Sequence, residues 1–107
     1  VAELRHGGAL AGLVNAGGDM RAFGPRRFPI ALRHPDQPSR TLPWRDLREA
    51  ALATSASYGP PRGISITVQA PRAMLADALT KVVRSAAAER MLARYRARAW
   101  VLCATTA

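Results

Sequence analysis

Read by its apolar and polar positions, the chain opens on a short mixed run, Val1 to His6, that is stopped by Gly7-Gly8. Glycines directly after such a run end a helix, so residues 1–6 read as a helix tail. Ala9-Leu10-Ala11-Gly12-Leu13-Val14 follows as an apolar run with strand character. Asn15-Ala16-Gly17-Gly18-Asp19 interrupts it, and Met20 to Phe23 supplies a return partner across the glycine turn. Phe28 to Leu32 is a second short apolar run, in which Pro29 predicts an edge strand or a late start. His34 to Ser39 holds two prolines and an aspartate, which predicts a loop.

The second half begins with an ambiguous element. Leu47 to Thr54 is rich in alanine, which favours a helix, but its apolar positions settle neither period. Ser55 to Gly63 breaks the pattern with two prolines and two glycines. Ile64-Ser65-Ile66-Thr67-Val68 then alternates cleanly and is the best strand signal in the chain. Pro71 opens a helix at a position where a missing N–H costs nothing. Met74, Leu75, Ala78, Leu79, Val82 and Val83 form its apolar stripe. Ser85 predicts a restart through Ala86-Ala87-Ala88, with Met91, Leu92 and Tyr95 facing inward. Ala99 to Ala104 closes as a strand. The expected class is α+β: a small mixed or antiparallel sheet with two or three packed helices, one domain over residues 1–107.

Composition narrows this only slightly. The 107 residues are 49% apolar, enough for a core, and hold no run near the ~18 residues a membrane-spanning helix needs. The first residues do not read as a signal peptide, and no compartment follows. A chain opening in the last turn of a helix reads as a fragment or as a domain without its front half. The net charge is +9, and fifteen of the sixteen basic residues are arginine. That charge draws phosphates or nucleic acid, but its scattering along the chain argues against a nucleic-acid footprint. Cys103 is single, so no internal disulfide forms, and His6 and His34 lack metal-pair spacing.

Three segments carry candidate chemistry. In Asn15–Asp19 the glycines admit a close backbone or ligand, and the flanking amide and carboxylate can fix what approaches; an ordinary tight turn fits the same pattern. Asp77 and Thr80 lie three apart on a helix, a spacing that presents two oxygens to a hard cation such as Mg²⁺. The competing reading is an exposed Asp77–Lys81 pair, although Asp77 sits inside the apolar stretch Met74–Val83, where a charge needs a partner. Thr54, Ser55 and Ser57 offer hydroxyls to phosphate oxygens, or simply end an element. No catalytic acid, base or nucleophile stands out, and His34 reads as an exposed loop residue.

Taken in order, Leu13-Val14-Asn15-Ala16-Gly17-Gly18-Asp19-Met20-Arg21-Ala22-Phe23-Gly24, Ala51-Leu52-Ala53-Thr54-Ser55 and Ala73-Met74-Leu75-Ala76-Asp77-Ala78-Leu79-Thr80-Lys81-Val82 resemble the C-terminal half of the ApbE family, the FAD:protein FMN transferases. The family shows a VNAGGDLRAFG-like loop, an ATSG-like strand end and a helix starting ADAL with a nearby threonine. The resemblance implies a T-fold-like half domain, from a truncated or divergent member. It implies a Mg²⁺-dependent transferase that cleaves the pyrophosphate of FAD and passes FMN to a Thr or Ser of a target flavoprotein. It implies Asp77 and Thr80 as metal ligands, and Asn15, Gly17, Gly18, Asp19, Thr54 and Ser55 at the nucleotide. The sequence departs from the family in three places. Lys81 holds the family's usual threonine position, Ala56 replaces the ATSG glycine, and residues 57–63 hold no histidine where the family carries a HIIDP-type loop. The alternative from another class is a non-catalytic flavin- or anion-binding module, or an assembly module that pairs with a second copy of itself.

Overall fold

The computed structural model describes residues 1–17, 19–33, 41–57 and 64–103. Helix α1 (Ala2–His6) precedes a β1–β2 hairpin, Gly12–Ala16 and Asp19–Phe23. A second hairpin follows, β3 (Phe28–Arg33) with β4 (Thr41–Leu47). The chain then runs through β5 (Ala50–Ser57) and β6 (Ile64–Ala70), helices α2 (Ala73–Leu79) and α3 (Ala88–Arg94), and β7 (Arg98–Cys103). The main sheet has five strands in the order β1-β2-β5-β6-β7, every neighbouring pair antiparallel. β3 and β4 form a separate two-stranded sheet inserted between β2 and β5. This is the α+β class expected from the pattern.

Two cores sit on opposite faces of the main sheet, because side chains alternate along each strand. On one face Ala22, Ala50 and Leu52 meet Ile30, Leu32 and Leu47 of the second hairpin. On the other, Ala51, Ala53, Val68 and Ala70 meet Ala76 and Leu79 of α2, with Met91 and Leu92 of α3 and Tyr95 at its C-terminal end partly buried beside them. The middle strand β5 is therefore covered on both faces. That explains its unbroken apolar run, Ala50-Ala51-Leu52-Ala53, and resolves the ambiguous segment as strand. Alanine is a helix former, but burial on two faces outweighs that preference of a few tenths of a kcal/mol per residue. The small side chains of Ala51 and Ala53 let α2 pack closely over β5.

Several expectations are corrected. The apolar pattern of residues 41–47 carried no strand prediction, yet β4 forms there. Pro43 pairs with Ala31 in a sheet of two strands, where no third strand needs its N–H. The break expected from Ser55 begins later, since β5 continues to Ser57. The stripe on α2 is narrower than drawn: Ala76 and Leu79 are buried, whereas Ala78 is exposed and Met74 is 85% exposed. The helix expected to restart at Ser85 starts at Ala88, and the Ser85 hydroxyl instead donates to the Val82 carbonyl at 2.7 Å. The loop expected at His34 to Ser39 and the end of the last strand at Ala104 lie outside the described residues.

Candidate functional site

The glycine segment is a hairpin with a two-residue turn. Ala16 pairs with Asp19, and Gly17 takes φ 66 at the turn. A left-handed φ there suits glycine, and the turn matches the twist of the flanking strands. Gly17 thus has a structural reason to be glycine, and Gly18 lies outside the described residues. Register also decides which side chains stand together. Val14, Ala16, Asp19 and Arg21 share the face toward α2, while Asn15 pairs with Met20 on the opposite face. The amide and the carboxylate flanking the glycines therefore point to different sides of the sheet.

α2 completes the site on the Asp19 side. Ala73, Met74 and Asp77 of the helix face Val14, Ala16, Asp19 and Arg21 across an open groove of about 300 Å³. Asp19 and Asp77, distant in sequence, line the same walls. Asp77 is exposed, so the expectation that its charge needed a partner within an apolar stretch is corrected: the buried positions of α2 face the sheet and Asp77 faces water. Thr80 is 5% exposed and does not line the groove. Its Oγ1 donates to the Asp77 carbonyl at 2.6 Å, which fastens the last turn of the helix beneath that aspartate. Lys81 is exposed. Two carboxylates with no imidazole or thiolate form an oxygen donor set, which fits a hard cation such as Mg²⁺.

Arg21 is a groove residue to which sequence reasoning gave no role. Its guanidinium donates from Nη1 to the Ala22 carbonyl and lies 3.8 Å from the Glu49 carboxylate. Glu49 is a junction. It accepts the Gly24 N–H at 2.8 Å and pairs with Arg5 of α1 at 3.2 Å. The Gly24 hydrogen bond first, then the Arg5 and Arg21 charges, hold its carboxyl below the usual carboxylate range. Arg5 also lies over the Phe23 ring, 5.2 Å from its centroid. Neither Glu49 nor Arg5 carried a sequence signal, because the pairing joins residues far apart in the chain.

The hydroxyl segment is divided in the same way. Thr54 pairs with Thr67 across β5 and β6, their hydroxyls 3.1 Å apart, on the face of the second hairpin. Ser55 is exposed and lies by alternation on the α2 face. Of the residues singled out from sequence, the structure brings Asp19 and Asp77 into one groove and puts Asn15 and Thr54 on the other side of the sheet.

The fold and groove define an α+β domain in which a glycine hairpin and a carboxylate-bearing helix meet at one site. A family model described as the ApbE family matches residues 1–60, more than half of the chain, and the chain belongs to that family. The family is related to flavin transfer, with flavins and flavoproteins as its general partners. The matched span runs from α1 through β5 and ends before α2, so Asp77 and Thr80 lie beyond it. The chain matches no curated protein and no solved structure at a significant level. No helix among the described residues is long and apolar enough to cross a membrane.

Proposed function

We propose that the groove between the glycine hairpin and α2 is the phosphate side of a flavin-nucleotide site, and that this chain takes part in Mg²⁺-dependent transfer of FMN from FAD to a Thr or Ser of a target flavoprotein. The observation that carries this reading is the meeting of Asp19 and Asp77 in one groove, in a member of the ApbE family. Asp19 and Asp77 would hold the cation, and Thr80 holds the Asp77 turn in place through its hydrogen bond to the Asp77 carbonyl. When bound, Mg²⁺ supplies positive charge against the pyrophosphate and the transferring phosphoryl group. Arg21 lines the same groove and adds positive charge beside it. Gly17 leaves the turn without a Cβ, so the nucleotide can approach the backbone.

In the transfer, the acceptor hydroxyl oxygen bonds to the phosphorus of the FMN moiety. The bond from that phosphorus to the bridging oxygen breaks, AMP leaves, and one proton is released to water. The described residues present open ground at the groove rather than an enclosed pocket, so the flavin ring requires further walls. The test is AMP release from FAD, followed chromatographically with and without Mg²⁺. The expected result is Mg²⁺-dependent release that falls at least about tenfold in Asp77→Asn and in Asp19→Asn. Release that is absent with saturating Mg²⁺, or unchanged in both variants, overturns the transfer reading.

A second reading, an assembly or binding module on the same fold, is favoured by one feature. β1 is an edge strand whose residues are mostly exposed, with Leu13 and Val14 each 37% exposed, and Leu10 just before the strand is 86% exposed. An uncharged apolar edge is a template for further strand pairing. A mass from light scattering equal to one chain, at concentrations of tens of micromolar, contradicts self-assembly through this edge.

A further inference from the structure

A second hollow, lined by other residues than the Asp19–Asp77 groove, adjoins it through the Arg21–Glu49 contact. It holds about 210 Å³ where the start of β5, the end of β6 and the start of β7 come together. Arg48, Arg96 and Arg98 line it, with Glu49, Gln69 and Ala70 beside them. All three arginines are exposed, and no carboxylate among the described residues pairs with any of them. The one acid at the hollow, Glu49, is already engaged by Gly24 N–H, Arg5 and Arg21. Three arginines therefore line one concavity whose single carboxylate is already engaged by other partners.

Backbone strain points to the same place. Among the described residues, two non-glycine residues take positive φ: Glu49 at 44° and Arg96 at 55°. Both line this hollow. Arg96 follows the end of α3, where Ala97 N–H bonds to the Leu92 carbonyl at 2.8 Å and Arg96 N–H to the Ala93 carbonyl at 3.3 Å. That is the Schellman arrangement, in which the left-handed position is normally glycine. An arginine there holds a less favourable backbone and contributes a charge to the hollow in return. Strained residues of this kind cluster where a ligand is clamped.

We infer that this hollow is an anion site for a ligand of the phosphate or pyrophosphate class, held by Arg48, Arg96 and Arg98. Planar guanidinium forks suit such oxyanions, and three of them, Arg48 before β5 and Arg96 and Arg98 at the entry to β7, favour a multiply charged group over chloride. The site is separate from the Mg²⁺ groove and stands whether or not that groove transfers FMN.

The test is calorimetric titration of the chain with inorganic pyrophosphate and, separately, inorganic phosphate, at low ionic strength in EDTA, so that no divalent cation serves the other groove. The expected result is saturable binding that weakens as salt is raised. Arg48→Ala, Arg96→Gly and Arg98→Ala each lower affinity at least about fivefold, whereas Arg90→Ala on α3 leaves it unchanged. Stronger binding of pyrophosphate assigns the site to a diphosphate, and equal binding to a single phosphate group. Arg96→Gly also raises the melting temperature by about 4 °C while it weakens binding, since glycine relieves the left-handed position. Absent binding overturns the inference, and so does an equal loss in Arg90→Ala. A lower melting temperature in Arg96→Gly removes the strain argument.

Discussion

Gly24 and Gly17 both take positive φ, at 86° and 66°, but for unequal reasons. A Cβ at Gly24 would overlap the Leu10 carbonyl oxygen and the Ala11 Cα, whereas one at Gly17 would meet nothing within 4 Å. Gly17→Ala therefore costs only the left-handed backbone, about 1 kcal/mol. Gly24→Ala adds a clash with main chain that cannot move aside, and costs about 3 kcal/mol or more. Urea denaturation of the two variants checks the order, and equal losses contradict it. Gly24 also donates its N–H to Glu49, whose carboxyl is held low by that bond and by Arg5 and Arg21. A carboxyl with a lowered folded value contributes stability above its usual 4.5 and loses it as pH falls through the folded value. Glu49→Gln should accordingly melt below the parent chain at neutral pH, and the gap should close as the pH falls below 4.5 and through the lowered value. A gap that stays constant with pH contradicts the assignment. None of this junction was legible in the sequence, because Glu49 reads as one more surface acid until the fold brings Gly24 and Arg5 to it.

Elements were legible where the pattern had one period and one buried face. β6 alternates, the β1–β2 hairpin brackets its glycines, and α2 begins soon after Pro71. β5 was ambiguous because it is buried on both faces, and a two-sided strand has no alternation to show. β4 was hidden by Pro43, which its two-stranded sheet tolerates. The α2 stripe is narrower than its apolar positions imply, because Met74 and Ala78 are apolar yet exposed. That interface gives an element-scale prediction. Ala76 is fully buried against β5 and β6, so Ala76→Leu overpacks it and costs about 1–3 kcal/mol, whereas Ala78→Leu on the exposed side costs less than about 0.5 kcal/mol. Urea unfolding of both variants separates them. Similar effects at the two positions contradict the packing described for this helix.

At the scale of the whole molecule, the sheet sets which residues can act together. Ordered motifs along the sequence pointed to the family, and the family match over residues 1–60 agrees with the first two of them. The sequence could not say which motif residues share a face, since that depends on register. Register puts Asp19 with Asp77, and sets Asn15 and Thr54 apart from them. Joint action of Asp19 and Asp77 on a Mg²⁺-bound flavin nucleotide is what the proposed site requires. Titration of FAD into the chain, read by flavin fluorescence with Mg²⁺ and with EDTA, tests it most directly. The expected result is binding that requires Mg²⁺ and weakens at least about tenfold in Asp77→Asn. Equal affinity in Mg²⁺ and EDTA, unchanged by Asp77→Asn, would contradict it.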